Sequence, residues 1–276
     1  MVDSYEEYRW FAERLAREAG GLLMEAFGKV KAKEKGPADL VTEADFASQE
    51  RIAQRIRETY PGHTLLAEEE GADTDFNNPW RWVVDPLDGT MNFAHGFPCW
   101  VVSIGLEHSG NLVAGVVHVP LTGQTYSASL GNGATLDGER IRVSPVDQLR
   151  TSLITTGLPT NFEADADRQT AYMRRFSTRT HSLRRTGSSA WNLALLASGA
   201  CEVCYATVMH PWDAAAGVLL IQEAGGVVSR LDGEPYDLYG LEILASNGRV
   251  HQEAVSALSE AWPERGRATG HAGERT

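Results

Sequence analysis

Trp82-Val83-Val84-Asp85-Pro86-Leu87-Asp88-Gly89-Thr90-Met91-Asn92-Phe93 runs from an apolar strand into two aspartates and then into a helix-start signal. Arg81 to Val84 is nearly all apolar, the pattern of a strand buried in an open α/β sheet, and ligands collect at the carboxyl ends of such strands. Asp85 therefore emerges at a crevice, and Pro86 stiffens the exit. Asp88 and Thr90 are both acceptable N-cap residues, and the N–H groups of the turn they open face outward with the positive end of a helix dipole behind them. Two carboxylates three residues apart, beside the backbone N–H groups of Gly89 and Thr90, suit hard cations and a phosphate in one small volume. Phosphate-ester chemistry is the first expectation, with a plain Asp-Gly turn as the alternative for this segment alone.

Other acidic segments strengthen the chemical reading. His63 to Gly71 is a short strand ending in Glu68, Glu69 and Glu70. Glu68 would meet Asp85 if the two strands are neighbours, whereas Glu69 and Glu70 are expected to be solvated. Asp39-Leu40-Val41-Thr42-Glu43-Ala44-Asp45 places Asp45 in the first turn of a helix that continues through Ile52 and Ile56, where it either complements the dipole or serves the site. In His210-Pro211-Trp212-Asp213, Pro211 suits a first helical position. Asp213 then falls in the first turn, and Ala214 to Gly217 are small where a helix packs closely on a sheet.

With these segments in view, the chain resembles the inositol monophosphatase family of lithium-sensitive, magnesium-dependent phosphatases. The resemblance rests on Glu68-Glu69 with its preceding strand, on Asp85 to Phe93, and on Trp212-Asp213-Ala214-Ala215-Ala216-Gly217 with Glu223-Ala224-Gly225-Gly226. Pro37 to Thr42, Gly187-Ser188-Ser189-Ala190, and Gly131-Asn132-Gly133-Ala134 leading to Ile141-Arg142-Val143-Ser144 agree as well. The likeness extends from the first helix to about Leu258.

The resemblance implies a layered α-β-α-β-α sandwich, α/β overall with an α+β first half. It implies one Mg²⁺ held by Glu68, Asp85 and the Leu87 carbonyl, a second held by Asp85, Asp88 and Asp213, and a third near Glu68, with Mn²⁺ as a substitute. All-oxygen ligand sets of this kind are what Mg²⁺ prefers. Asp45 and Thr90 would position or deprotonate the attacking water, with Glu68 beside them among the catalytic residues. The Gly89 and Thr90 N–H groups would hold the phosphate, and Gly187, Ser188, Ser189 and Arg184 would lie on the substrate side. Arg184 and Arg185 either contact a second phosphate or a carboxylate on the substrate, or form a surface or subunit-interface pair.

A phosphate monoester is a dianion that repels hydroxide, so clustered metals must neutralise it, and no covalent intermediate is required. A rival phosphatase class uses an aspartate nucleophile followed two residues later by an acid aspartate. Here Asp85 and Asp88 are separated by two residues, so the second carboxylate is expected to project in a different direction. Inositol monophosphate is the first substrate implied, with histidinol phosphate, fructose 1,6-bisphosphate and phosphoadenosine phosphate as the superfamily's alternatives. In inositol-specific members a glutamate seven residues before the helix-start aspartate contacts the sugar hydroxyls; that position is Ala206, and no acid occurs between Glu202 and Asp213. A non-catalytic metal-binding relative is disfavoured because every proposed ligand is present.

Composition sets compatible bounds. The chain has 276 residues, 42% of them hydrophobic, enough for a full core. Its net charge of -12 argues against nucleic acid as a broad-surface partner. No segment approaches a membrane span, and Met1 to Glu7 lacks the regions of a signal peptide, so a cytoplasmic enzyme is expected. Cys201 and Cys204 have redox-like spacing, but no second pair accompanies them, and buried thiols are expected there and at Cys99. Trp80 and Trp82 read as strand core.

Helices are expected over 5–28, with Trp10, Phe11, Leu15, Leu22, Leu23 and Phe27 on the apolar side, and over 44–59. Strands from Trp100, Leu112 and Thr125 form an antiparallel meander. Beyond Ser144 strands and helices alternate, as in an α/β layer. The expected division is an N-terminal half, 1–144, carrying most ligands, a C-terminal half, 145–262, contributing Asp213, and a disordered tail, 263–276. Family members are commonly homodimers, and a homodimer is expected.

Overall fold

The computed structural model describes residues 5–29, 33–36, 39–69 and 78–263, so the expectations for Glu70 and for the tail beyond Pro263 lie outside the described residues. The chain opens with α1 (Glu6–Ala26), the hairpin of β1 (Lys33–Gly36) and β2 (Asp39–Val41), α2 (Glu43–Thr59), β3 (Thr64–Ala67), β4 (Trp80–Asp88) and the short α3 (Thr90–Ala94). A run of strands follows: β5 (Val101–His108), β6 (Asn111–Val119), β7 (Gln124–Ser129), β8 (Gly133–Leu136) and β9 (Glu139–Arg140). Then come β10 (Leu153–Thr156), α4 (Ala166–Arg179), β11 (Ser182–Arg184), α5 (Ser189–Ala197), β12 (Val203–Ala206), α6 (Pro211–Glu223), β13 (Val227–Ser229), β14 (Ile243–Ser246) and α7 (His251–Ala261).

The strands make two large sheets, one in the order β3-β4-β5-β6-β7-β8-β9 and one in the order β11-β10-β12-β14-β13. In the first, β3 and β4 are parallel and the remaining neighbours antiparallel; the meander from β5 to β7 is present, and β8 and β9 extend it. Three cores separate five layers. The outer one joins α1 and α2 to the first sheet, the middle one holds α5 and α6 between the sheets, and the third joins the second sheet to α4 and α7. The expected α-β-α-β-α sandwich is what forms.

Close approach of α6 to the first sheet depends on absent side chains. Gly105 and Gly115 face each other across β5 and β6. A Cβ on Gly105 would lie 2.7 Å from Ala215 Cβ, and one on Gly115 would lie 2.8 Å from the Ala216 carbonyl oxygen. The run Ala214 to Gly217 therefore does pack closely, as its small residues require.

On α1 the buried stripe is Phe11, Ala12, Leu15, Ala16, Ala19, Gly20 and Leu23. Trp10, expected on the apolar side, is instead 56% exposed with the Arg9 guanidinium 5.7 Å from its ring. The stripe follows the alanines, which let the helix lie close to the sheet, and this turns Trp10 outward. Trp82 is fully buried, while Trp80 is half-buried between the rings of His63 and His108, at 4.9 and 3.7 Å. Cys99, Cys201 and Cys204 are free, buried thiols, as expected.

Candidate active site

The floor of the site is a bulge in β4. Asp85 pairs with Ser103 and Asp88 with Val101, so three steps on β4 oppose two on β5. Residues three apart on a regular strand point to opposite faces, and the extra residue cancels that. Asp85 and Asp88 thus share a face, contrary to the expectation that their carboxylates diverge. Pro86, which has no N–H to give the ladder, sits inside the bulge, and Ser48 Oγ of α2 donates to its carbonyl at 2.9 Å. The Leu87 N–H turns back to Asp85 Oδ1 at 2.9 Å.

The other ligand candidates arrive by topology. β3 runs parallel to β4 with Ala67 opposite Val84, which brings Glu68 alongside Asp85 as the neighbouring-strand expectation required. Asp213 is the third residue of α6, behind Pro211 in the first position, and its Oδ2 accepts the His210 N–H at 3.1 Å. One oxygen from each of Asp85, Asp88 and Asp213 lies within 4.8 Å of the others.

Mutual repulsion and burial govern these groups. Burial first, then the charges of Glu68, Asp88 and Asp213, hold the Asp85 carboxyl well above the ordinary carboxylate range. Burial and the Asp88 charge push Asp213 up to about 7, against the His210 N–H. Asp88 is raised by burial but opposed by three donors at the start of α5: Ser188 Oγ at 2.5 Å, the Ser189 N–H at 3.0 Å and the Ala190 N–H at 2.7 Å. These N–H groups have no partner inside the helix, so a carboxylate satisfies them well. Three crowded carboxylates, Asp85 and Asp88 buried and Asp213 partly so, with no basic partner within the cluster, form an oxygen donor set that fits a hard divalent cation.

Beside this floor stands a carboxylate and hydroxyl pair. Thr42 caps α2, and Asp45 Oδ2 accepts the Thr42 N–H at 2.8 Å and its hydroxyl at 2.6 Å. The other oxygen, Oδ1, accepts Thr90 Oγ1 at 3.0 Å, and the same hydroxyl lies 3.0 Å from the Leu87 carbonyl oxygen. Burial raises the Asp45 pKa, and the two threonines oppose the rise. Gly89 makes the turn with φ of 101°, and a Cβ there would meet the Cys99 carbonyl oxygen at 2.8 Å. It is Gly89, not Asp88 or Thr90, that caps α3, and at five residues that helix contributes N–H groups more than a dipole. Asp85, Asp88, Asp213, Glu68 and Thr90 all line one cavity of about 550 Å³.

The sequence matches the inositol monophosphatase family over residues 4–263. The chain belongs to the inositol monophosphatase family. It is a phosphatase, a phosphoric monoester hydrolase of a metal-dependent family. The inositol-1-monophosphatase of Synechocystis sp. is 40% identical over 243 residues, covering 87% of this chain and 85% of that protein. A fructose-1,6-bisphosphatase/inositol-1-monophosphatase of Thermotoga maritima is 35% identical over 261 residues, with coverage of 93% and 97%. The solved inositol monophosphatase of Anabaena (Nostoc) sp. PCC 7120 superposes with a TM-score of 0.85 at 34% identity, over 92% of this chain and 96% of that one.

Within this site, several residues stand differently from their sequence-based assignments. Gly187, Ser188 and Ser189 border the cavity, but the Ser188 hydroxyl and the Ser189 N–H are turned to Asp88. Arg184 lies outside the cavity lining: its guanidinium donates to Ser182 Oγ and to the Leu183 carbonyl at 3.1 Å. Arg185 lines the cavity instead, because successive residues leaving a strand face opposite ways. Glu69, expected to be solvated, is 5% exposed, and its N–H donates to Gln49 Oε1 at 3.0 Å. Ala206 is fully buried in β12. The segment Gly157 to Thr160 and Phe162, which forms the far wall, was not anticipated. It follows β10, the strand flanked by β11 and β12 where the chain order reverses, so a strand ending in Gly-Leu-Pro was its available signal.

Proposed function

We propose that the enzyme hydrolyses small phosphomonoesters, inositol monophosphate first among them, with Mg²⁺ as the metal. The observation that carries the proposal is the convergence of Asp85, Asp88 and Asp213 within 4.8 Å on a cavity floor, next to the Asp45 and Thr90 pair. Glu68, Asp85, the Leu87 carbonyl, Asp88 and Asp213 would hold the ions, which when bound supply positive charge against the phosphate dianion and acidify water.

The chain's own groups do the rest. Thr90 Oγ1 can accept a hydrogen bond from the attacking water while donating to Asp45 Oδ1, so a proton leaving the water has a path to a carboxylate whose pKa burial has raised. Gly89 and Thr90 offer N–H groups at the cavity edge for phosphate oxygens. Asp88 is fixed by α5 and Asp213 by its own helix start, so two ligands are set in place before any ion arrives. Attack is direct, without a phosphoenzyme.

The working enzyme is a cytoplasmic, lithium-sensitive homodimer, each chain using the 1–144 and 145–262 halves around one site. Support for these points comes from the family; among the described residues no helix is long and apolar enough to cross a membrane. The test is phosphate release from inositol 1-phosphate with Mg²⁺, set beside histidinol phosphate, fructose 1,6-bisphosphate and phosphoadenosine phosphate. Turnover that requires Mg²⁺ is expected. Release from none of them would overturn the assignment.

A further inference from the structure

Arg185 is the one cationic side chain among the described residues that line the active cavity. Its neighbour Arg184 is folded back on β11, but the Arg185 guanidinium makes no hydrogen bond or ion pair among the described residues. The backbone just beyond it is pinned. The Thr186 carbonyl accepts Asn92 Nδ2 at 2.9 Å, and the Thr186 hydroxyl donates to Asn192 Oδ1 at 2.8 Å. At Gly187, with φ of 84°, a Cβ would come within 2.8 Å of Asn92 Nδ2. The arginine is thus carried on a fixed turn while its charged end is left uncommitted.

The rest of the cavity gives that charge a meaning. Every acid in the lining, Glu68, Asp85, Asp88 and Asp213, belongs to the candidate metal floor. Beyond that floor, the described lining residues include no further carboxylate. Ala206 carries a methyl group and is fully buried, and Glu202 spends its carboxylate on the Leu153 N–H at 2.6 Å. A volume of about 550 Å³ exceeds what a phosphate alone would fill and lies in the range of whole-metabolite sites, about 300–1,000 Å³.

Resting on the phosphatase assignment, we propose that Arg185 binds a second anionic group, a phosphate or a carboxylate, so that beside inositol monophosphate the enzyme takes two-anion phosphomonoesters and prefers them to their matched single-anion partners. A planar guanidinium offers paired N–H donors to either group. The contact lies at the cavity mouth, so added salt weakens it.

The test compares kcat/KM for matched pairs with Mg²⁺: fructose 1,6-bisphosphate against fructose 1-phosphate, and 3-phosphoglycerate against glycerol 3-phosphate. In the wild-type enzyme at least one two-anion member is expected to exceed its partner, and the pair that responds identifies the anion. In Arg185→Gln that ratio is expected to fall about tenfold or more, with Arg185→Lys keeping much of it. Whatever either variant does to turnover as a whole, the ratio decides. A ratio near one in the wild type, or equal in wild type and Arg185→Gln, overturns the proposal. If the wild type hydrolyses neither these four nor inositol 1-phosphate, the phosphatase assignment is what has failed; if it hydrolyses inositol 1-phosphate but none of the four, thermal shifts with the same compounds decide Arg185. An extra shift with the two-anion ligand that is lost in Arg185→Gln supports the proposal, and equal shifts overturn it.

Discussion

Asp88 shows how one side chain can serve two ends of a site. Its carboxylate accepts three donors from the start of α5 and also presents an oxygen to the cluster with Asp85 and Asp213. In Asp88→Asn the shape is kept, but an NH₂ group is set against the N–H donors of α5 and a charge is lost from the metal floor. Turnover at saturating Mg²⁺ should fall about 10²-fold or more, by analogy with the removal of other preorganised electrostatic groups. Phosphate release across a Mg²⁺ titration checks this, and wild-type turnover at high Mg²⁺ would contradict the role. Thr90→Val removes the hydroxyl that donates to Asp45 and, with it, the proposed path from water; it should lower kcat by about 10²–10⁴-fold with a smaller change in KM. An effect confined to KM would make Thr90 a binding residue only. These acids were legible in the sequence because each stands where carboxylates gain from geometry: Asp45 and Asp213 in helix first turns, Glu68 just past the end of β3, and Asp85 where an apolar strand run meets a proline. Arg185 was harder to single out. Arg184 and Arg185 are chemically identical neighbours, and only the place where β11 stops decides which of them turns toward the cavity.

At the level of elements, alternation along β4 would put Asp85 and Asp88 on opposite faces, and the bulge at Pro86 reverses that result. A proline inside an apolar strand was the available sign, since it cannot donate to the ladder, but its effect on facing depends on how β5 pairs with it. The helices and the meander were legible from periodicity and turn residues. The β1–β2 hairpin and β8–β9 were not, because Lys33–Gly36, Asp39–Val41, Gly133–Leu136 and Glu139–Arg140 are short and lack the apolar run that marks β3 and β12. One motif gains a physical cause here: Gly131 and Gly133 give their N–H groups to the Glu223 carboxylate at 2.8 and 2.6 Å, so two distant segments of the family resemblance are halves of one contact. The paired glycines of β5 and β6 lead to a further prediction. Gly105→Ala would drive a methyl into Ala215 and Gly115→Ala one into the α6 backbone. Each should lose about 1–3 kcal/mol in urea unfolding, because neither backbone nor a neighbouring methyl can rotate away. Because α6 carries Asp213, Mg²⁺ affinity should fall along with stability; a substitution that costs neither would show that the close approach is not needed.

For the molecule as a whole, the cores join both halves of the sequence, Val101 and Val117 packing in one cluster with Leu193, Leu219 and Ile243, while repelling carboxylates are gathered beside that cluster. In the metal-free protein the folded state therefore holds protons that the unfolded chain has already released. Asp213 titrates at about 7 when folded against 3.8 in the ordinary case, and Asp85 is shifted in the same direction. Folded pKa values raised in this way contribute stability that is present below pH about 4 and lost as pH rises toward about 7, so the metal-free protein should become less stable across that window. The proposed Mg²⁺ would take the deprotonated cluster, and its stabilisation would grow with the fraction of cluster that has lost its protons. The expected result in thermal melts with a chelator is a Tm at pH 8 below that at pH 5, largely restored by millimolar Mg²⁺, with a Mg²⁺-induced shift larger at pH 8. Matched ionic strength with Na⁺ separates this from general screening of a chain of net charge -12. A Mg²⁺-induced shift of equal size at both pH values, or one reproduced by Na⁺ alone, would mean that the acids at the site do not set the stability of the metal-free fold.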